Sequence, residues 1–191
     1  MVNLSKLNPQ PKNICSIDAS TNSLAFAIFD SKELTAIGKI NFKGANTYEK
    51  VTDASAKTAA FFKAYGIPDS VVIEHTVFIN SPKTAADLAL VQGAILGAMG
   101  VAGVDNIKSI NPIAWQTFIG NGRLNKEEKK LIRDDTPGKS ESWYKSKERE
   151  LRKLRTMHFV EIQYDKILLD NDVADAIGIG HYAINNWEKL S

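Results

Sequence analysis

The chain has 191 residues, enough for one sizeable core and with no sign of a second domain; 43% hydrophobic and 24% charged residues are ordinary for a soluble globular protein. A single cysteine, Cys15, excludes an internal disulfide, and no Cys/His spacing fits zinc. The net charge of +2 is unevenly spread: residues 121–155 carry 12 Lys/Arg against 7 Asp/Glu, which a polyanionic partner or a solvated charged helix would equally explain.

In chain order, MVNLSKLNPQPKN lacks the apolar stretch of a secretory signal, so a cytoplasmic protein with a buried, reduced thiol is expected. Residues 13–42 then show three β patterns, NICSIDAS, SLAFAIFD and LTAIGKINF, separated by short polar turns, which predicts an antiparallel meander. Residues 46–65 read as a helix with Tyr48, Val51, Ala54, Ala59, Phe61 and Phe62 at roughly helical spacing, stopped by Gly66 and Pro68. SVVIEH is a short β-branched run without alternation, as in a central strand covered on both faces. The segment 85–104 has Gly93 and Gly97 at the spacing of close-packing membrane helices. With Asp87, Gln92 and many Ala and Gly it is too weakly apolar for a membrane span, and it reads as a buried helix tightly packed at its small residues.

A short strand at 106–110 follows, then a helix opened by Asn111 and Pro112 with Trp115 and Phe118 on one side. Residues 125–155 form two charged helical pieces broken near Thr136-Pro137-Gly138, and 157–169 reads as a short strand and loop. The last helix begins at LLDNDVADAIGIGHYAIN, with Asp170 or Asn171 as its N-cap. It places Asp172 and Asp175 on one face of the first turn, ahead of the packing residues Ala174, Ile177, Ile179, Tyr182 and Ala183. Small residues in ADAIGIG imply close contact with a sheet.

Four acids carry the chemical argument. Asp172 and Asp175 taken alone are explained as surface acids that complement the helix dipole. Asp18 and Glu74, each ending an apolar strand, are explained singly as residues leaning into solvent. Together they point elsewhere: if the first and fourth strands are neighbours and the last helix crosses them, the four converge from three remote elements. Carboxylates that close resist joint ionisation, and hard divalent cations are the natural compensation. An all-oxygen set suits Mg²⁺, with Mn²⁺ as a substitute, and two such ions roughly 4 Å apart support in-line phosphoryl displacement, which is nuclease chemistry.

The order SIDAST, hairpin, VVIEHTVF, LVQGAILGA, NPIAWQTFIGNGRLNKEE and DNDVADAIGIG resembles, over residues 13–185, the RuvC-type Holliday junction resolvases (crossover junction endodeoxyribonucleases) of the RNase H-like superfamily, in a phage-encoded branch. The resemblance implies one α/β RNase H-like nuclease domain over residues 1–191, with a basic helical insertion at about 121–155. Its sheet would be mixed, the meander followed by strand, helix and strand, with helices on both faces. It further implies a metal-dependent endonuclease of DNA recombination and repair that resolves four-way and other branched DNA by paired phosphodiester hydrolysis, in a bacterial host's cytoplasm if phage-encoded. By position, Asp18, Glu74, Asp172 and Asp175 match the family's catalytic metal ligands. Phe78 stands one residue beyond the family's junction-wedging aromatic, and a packing aromatic explains it as well. Lys126, Lys129 and Lys130 fall where the family presents lysines to phosphate. Arg123, Arg152, Lys153 and Arg155 have the density of backbone contacts. Trp143 and Tyr144 either stack on an exposed base or anchor a charged helix. A homodimer through the 83–103 helix is implied, with burial of that helix under its own sheet as the other reading. Two further functions stay open: a module that binds branched DNA without cutting it, and an ATP-binding phosphotransferase, since DASTNSLAFAIFD also resembles the phosphate hairpin of actin-like and sugar-kinase proteins.

Overall fold

The computed structural model describes residues 10–75 and 81–190. Its elements follow the order β1 (Asn13–Ala19), β2 (Ser23–Asp30), β3 (Glu33–Asn41), α1 (Thr47–Tyr65), β4 (Ser70–Glu74), α2 (Pro82–Ala102), β5 (Ile107–Ile110), α3 (Pro112–Phe118), α4 (Lys126–Asp135), α5 (Glu141–Tyr164) and α6 (Asn171–Asn185). The five strands make one sheet in the order β3-β2-β1-β4-β5, antiparallel through the meander and parallel from β1 to β4 to β5. Ser31 and Lys32 both have positive φ, the geometry that a two-residue hairpin needs between right-twisted strands.

Alternation along the strands sorts two cores. Cys15, Ile17, Leu24, Phe26, Val71 and Ile73 face α1 and α2, where Phe61, Phe62, Val91, Ile95 and Met99 close over them. Ile14, Ala25, Ala27, Phe29 and Val72 face the other way, onto Val173, Ala174, Ile177 and Ile179 of α6. Burial pushes the Cys15 thiol up to about 12, which makes it inert.

The close approach of α6 decides where the site stands. A Cβ at position 180 would overlap the Phe29 ring and crowd the Ser16 hydroxyl, and one at 178 would come within 2.7 Å of the Trp115 ring. The Ser16 hydroxyl also donates to the Ala176 carbonyl at 2.7 Å, a bond between sheet and helix that a larger residue at 180 would displace.

Three expectations need correction. Residues 157–164 continue α5 instead of forming a strand and loop. Although MHFVEIQY is rich in β-formers, Thr156 and Val160 are buried one turn apart, and Asp165, in the left-handed region at φ 51°, ends the helix. The second correction concerns α2, which is not buried all round: Val91, Ile95, Ala98 and Met99 face inward, while Leu90, Leu96 and Val101 are exposed. Its Gly93, Gly97 and Gly100 meet nothing within 4 Å where a Cβ would stand, so no part of the described chain packs on them. By length and composition α2 is apolar enough to cross a membrane, but its inner face belongs to the core. Third, Tyr48 is 76% exposed and lies off the packed face of α1.

Gly180→Ala should lower stability by about 2 kcal/mol, a fall of roughly 4–8 °C in thermal midpoint, whereas Gly122→Ala, beside open space and without a positive φ, should do less. Equal midpoints for the Gly180 variant and the parent would show that α6 does not press on Phe29 and Ser16.

Candidate functional site

Register places the first acid. In the meander Asp18 pairs with Ala25 and Ala25 with Lys39, so these three side chains form one rank across β1, β2 and β3 on the face that α6 covers. On the other side, the parallel pairs Ser16/Val72 and Ile17/Ile73 bring Glu74 alongside Asp18 one step further on. Above them α6 starts at Asp170, whose side chain accepts from the backbone N–H of Asp172 at 2.9 Å and of Val173 at 3.4 Å. Asp172 thus stands in the first turn of α6 and Asp175, expected in the same turn, opens the next, both toward the ends of β1 and β4.

The four acids act on one another. Burial pushes the Asp18 carboxyl well above its ordinary range, and Asp175, Glu74 and Asp172 add to it in that order, with Lys39 pulling back. Burial, then Glu74, then Asp172 carry Asp175 up to about 7, against a hydrogen bond from Thr156 and the charge of Lys153. Glu74 is raised by burial, opposed by the Trp115 N–H, which donates to its Oε2 at 2.7 Å, and by the Arg152 charge.

Protein donors already engage part of the set. Lys39 Nζ lies 2.6 Å from Asp172 Oδ2 and 2.9 Å from Asp170 Oδ2, and the Asn171 amide donates to Asp172 Oδ1 at 2.6 Å. Burial alone would lower Lys39; its bonds to Asp172 and Asp170 outweigh that and raise it. Among the described residues no three carboxylates, thiols or imidazoles are drawn tightly enough together to form a ready-made metal cage. The donor chemistry nonetheless fits a hard divalent cation: only carboxylate oxygens, confined where repulsion and burial make their full ionisation unfavourable without added positive charge.

The basic residues separate into two groups. Arg123 and Arg152 line a cleft of about 530 Å³ that opens beside Glu74, together with Pro112, Ile113, Gln116 and Thr117. Lys153 reaches Asn171 at 3.2 Å and acts on Asp175. These three border the acids. The others belong to the α4–α5 hairpin: Lys126 and Lys130 on the exposed surface of α4, Lys129 paired with Glu148 at 3.3 Å, and Arg155 paired with Glu128. Arg155 therefore ties α5 to α4 and does not face the acids. Arg123, Lys129, Lys145, Arg149 and Arg152 share a second basic cleft with Glu148. Tyr144 is an anchor, its hydroxyl donating to the Thr136 carbonyl at 2.8 Å beneath the Arg133 guanidinium, and Trp143 packs edge-on against it. His181 is packed by Phe118, Phe159 and Tyr164. Phe78 lies outside the described residues.

Sequence reasoning missed Lys39, the Trp115 bond to Glu74, and Thr156, which receives the Asn121 amide at 2.8 Å and draws Asp175 down. For Lys39 the sequence carries no signal: counting across the two hairpins from Asp18 lands on Gly38, and only the register shift between Ile28 and Phe29 brings Lys39 opposite Ala25.

Asp175 titrates near 7 when folded and near 4 when unfolded, so the stability that its protonated form contributes is full below about pH 4 and gone above about pH 7. Metal-free protein should therefore lose stability across that window, and Asp175→Asn should gain on the parent by about 1–2 kcal/mol between pH 5 and pH 8 in urea melts with chelator. Parallel pH profiles for the two proteins would rule this environment out.

No family model matches the chain, and no curated protein matches it in sequence. Solved structures do. RuvC of T. thermophilus in complex with a Holliday junction substrate superimposes with TM-score 0.60 at 15% identity, covering 91% of this chain and 96% of that one. A second Thermus thermophilus RuvC structure gives 0.58 at 17% identity with the same coverage, and the yeast mitochondrial Holliday junction resolvase gives 0.49 at 8%, covering 91% and 77%. In fold, this chain is an α/β protein of the RuvC, RNase H-like kind.

Proposed function

We propose that the chain is a metal-dependent endodeoxyribonuclease that resolves four-way and related branched DNA junctions by phosphodiester hydrolysis. The observation that carries this reading is that Asp18, Glu74, Asp172 and Asp175, from β1, β4 and α6, stand near enough to act on one another beside a border of Arg123, Arg152 and Lys153. The first RuvC structure is a complex with a Holliday junction substrate, and the same class of substrate suits a site that pairs acids with a cationic rim.

Asp18, Glu74, Asp172 and Asp175 would hold two Mg²⁺ ions, or Mn²⁺, whose role when bound is to activate water and neutralise the phosphate in flight. The chain's own residues do the positioning. Pairing of β1 with β4 fixes the spacing of Asp18 and Glu74, and Trp115 sets the rotation of the Glu74 carboxylate. The Ser16–Ala176 bond sets the height of α6. Arg123, Arg152 and Lys153 contact the DNA backbone next to the acids, and Lys126 and Lys130 contact it further along the hairpin. A phosphotransferase reading has less to stand on. Its phosphate hairpin would need open backbone N–H groups at the β1–β2 turn, yet those of Asn22 and Ser23 donate to the Ser20 hydroxyl at 3.2 and 3.0 Å.

The working unit in this proposal is a homodimer joined through the outer face of α2, where exposed Leu90, Leu96 and Val101 flank glycines open to close helix contact.

A synthetic four-way junction should be nicked in Mg²⁺ or Mn²⁺ while linear duplex is spared, and Glu74→Gln should bind the junction normally but cut at least about 100-fold more slowly. A junction left intact with both metals defeats the proposal. Neutralising Arg123, Lys126, Lys130 and Arg152 should flatten the salt dependence of binding by up to about 0.9 per lost phosphate contact. For the dimer, light scattering should show two copies for the parent and one for Leu90→Lys/Gly97→Glu; a parent that is monomeric at micromolar concentration refutes that assembly.

A further inference from the structure

Lys39 stands on β3, two strands from Asp18 and in the same rank, and its side chain is 24% exposed. Its ammonium bridges two acids at the head of α6, with Asp172 Oδ2 at 2.6 Å and Asp170 Oδ2 at 2.9 Å. The charged groups facing it are Asp170, Asp172 and, at longer range, Asp18. Asp170 alone would suffice to tie β3 to α6, because it is already held as the N-cap by the backbone of Asp172 and Val173. The shorter contact goes instead to Asp172, the acid assigned above to the metal.

A lysine ammonium and a divalent cation cannot share one carboxylate oxygen without strong repulsion. The Lys39 stem is a flexible four-carbon chain, so its head can leave that oxygen and remain at the site. The incoming DNA brings a replacement anion, a phosphate oxygen.

We propose that Lys39 is a tethered counter-ion that occupies Asp172 in the DNA-free protein, competes there with the divalent cation, and passes to a backbone phosphate when cation and DNA bind together. Lys39 thereby couples the two binding events and is a substrate-contacting residue of the site. The inference rests on the metal-dependent reading given above.

Ca²⁺ is a suitable probe, since it takes the same oxygen ligands. Titration calorimetry on the full chain without DNA should show Lys39→Met binding Ca²⁺ at least about five-fold more tightly than the parent, with Lys39→Arg, which keeps the charge, close to the parent. Ca²⁺ should strengthen junction binding in the parent and less so in Lys39→Met. Lys39→Gln serves as a second neutral variant, and thermal midpoints confirm that each protein is folded. Equal or weaker Ca²⁺ affinity in folded Lys39→Met, while Asp172→Asn abolishes binding by the parent, overturns the counter-ion role and leaves the metal reading standing. Absence of saturable Ca²⁺ binding in every protein removes the metal reading and this inference with it.

Discussion

The near-contact between α6 and the sheet is the constraint from which the rest follows. Gly180 lets the helix backbone settle against Phe29 and Ser16, and Gly178 does the same against Trp115. Because the Ser16 hydroxyl clasps the Ala176 carbonyl, the helix has little freedom to slide. Its N-terminal end therefore lands over the ends of β1 and β4, and Asp172 and Asp175 come near enough to act on the acids of the strands. Trp115 joins both roles in one side chain: its ring fills the space that Gly178 leaves, and its indole N–H reaches Glu74.

This geometry concentrates negative charge in a place that burial makes costly. Part of the strain is relieved by protonation, as with Asp175, and part by cations that the chain supplies itself. Lys39 serves Asp170 and Asp172 from one side, while Arg152 and Lys153 approach Glu74 and Asp175 from the α5 side. The core beneath is divided so that polar chemistry stays on the α6 face. The α1–α2 face is apolar, and its one thiol is buried and inert. The acids occupy only the end of the α6 face where β1 and β4 finish, and apolar packing along the rest of that face and over the other lets the protein hold an unfavourable cluster without a weak core.

How much was legible beforehand depends on how local each signal is. Asp18 and Glu74 stood out because an acid ends an apolar run, and the DNDVADAIGIG pattern announces both a capped first turn and a closely packed helix. The neighbour relation of β1 and β4, on which their meeting depends, was a supposition that the sheet order bears out. Lys39 was invisible in linear reading, since its meaning arises only when two hairpin registers are laid side by side. The glycines of α2 misled for the opposite reason: small residues advertise close packing without saying against what, and among the described residues nothing packs where their side chains would stand. Residues 157–164 look strand-like one by one, yet a buried stripe recurring each turn made them helix.

The α4–α5 hairpin carries one more consequence. No residue of α4 is buried, and the helix is moored to α5 through Arg155–Glu128, Lys129–Glu148 and the Arg133 stack on Tyr144, with Arg133 also clasping Glu141. An arm fastened by ion pairs instead of apolar contact answers to ionic strength, and phosphate groups compete with Glu128 and Glu148 for the same guanidinium and ammonium heads. A polyanion docking on this arm, as proposed above, would thus swap partners, each new contact loosening an old mooring. The hold of α4 on α5 is therefore set in part by the surrounding electrolyte.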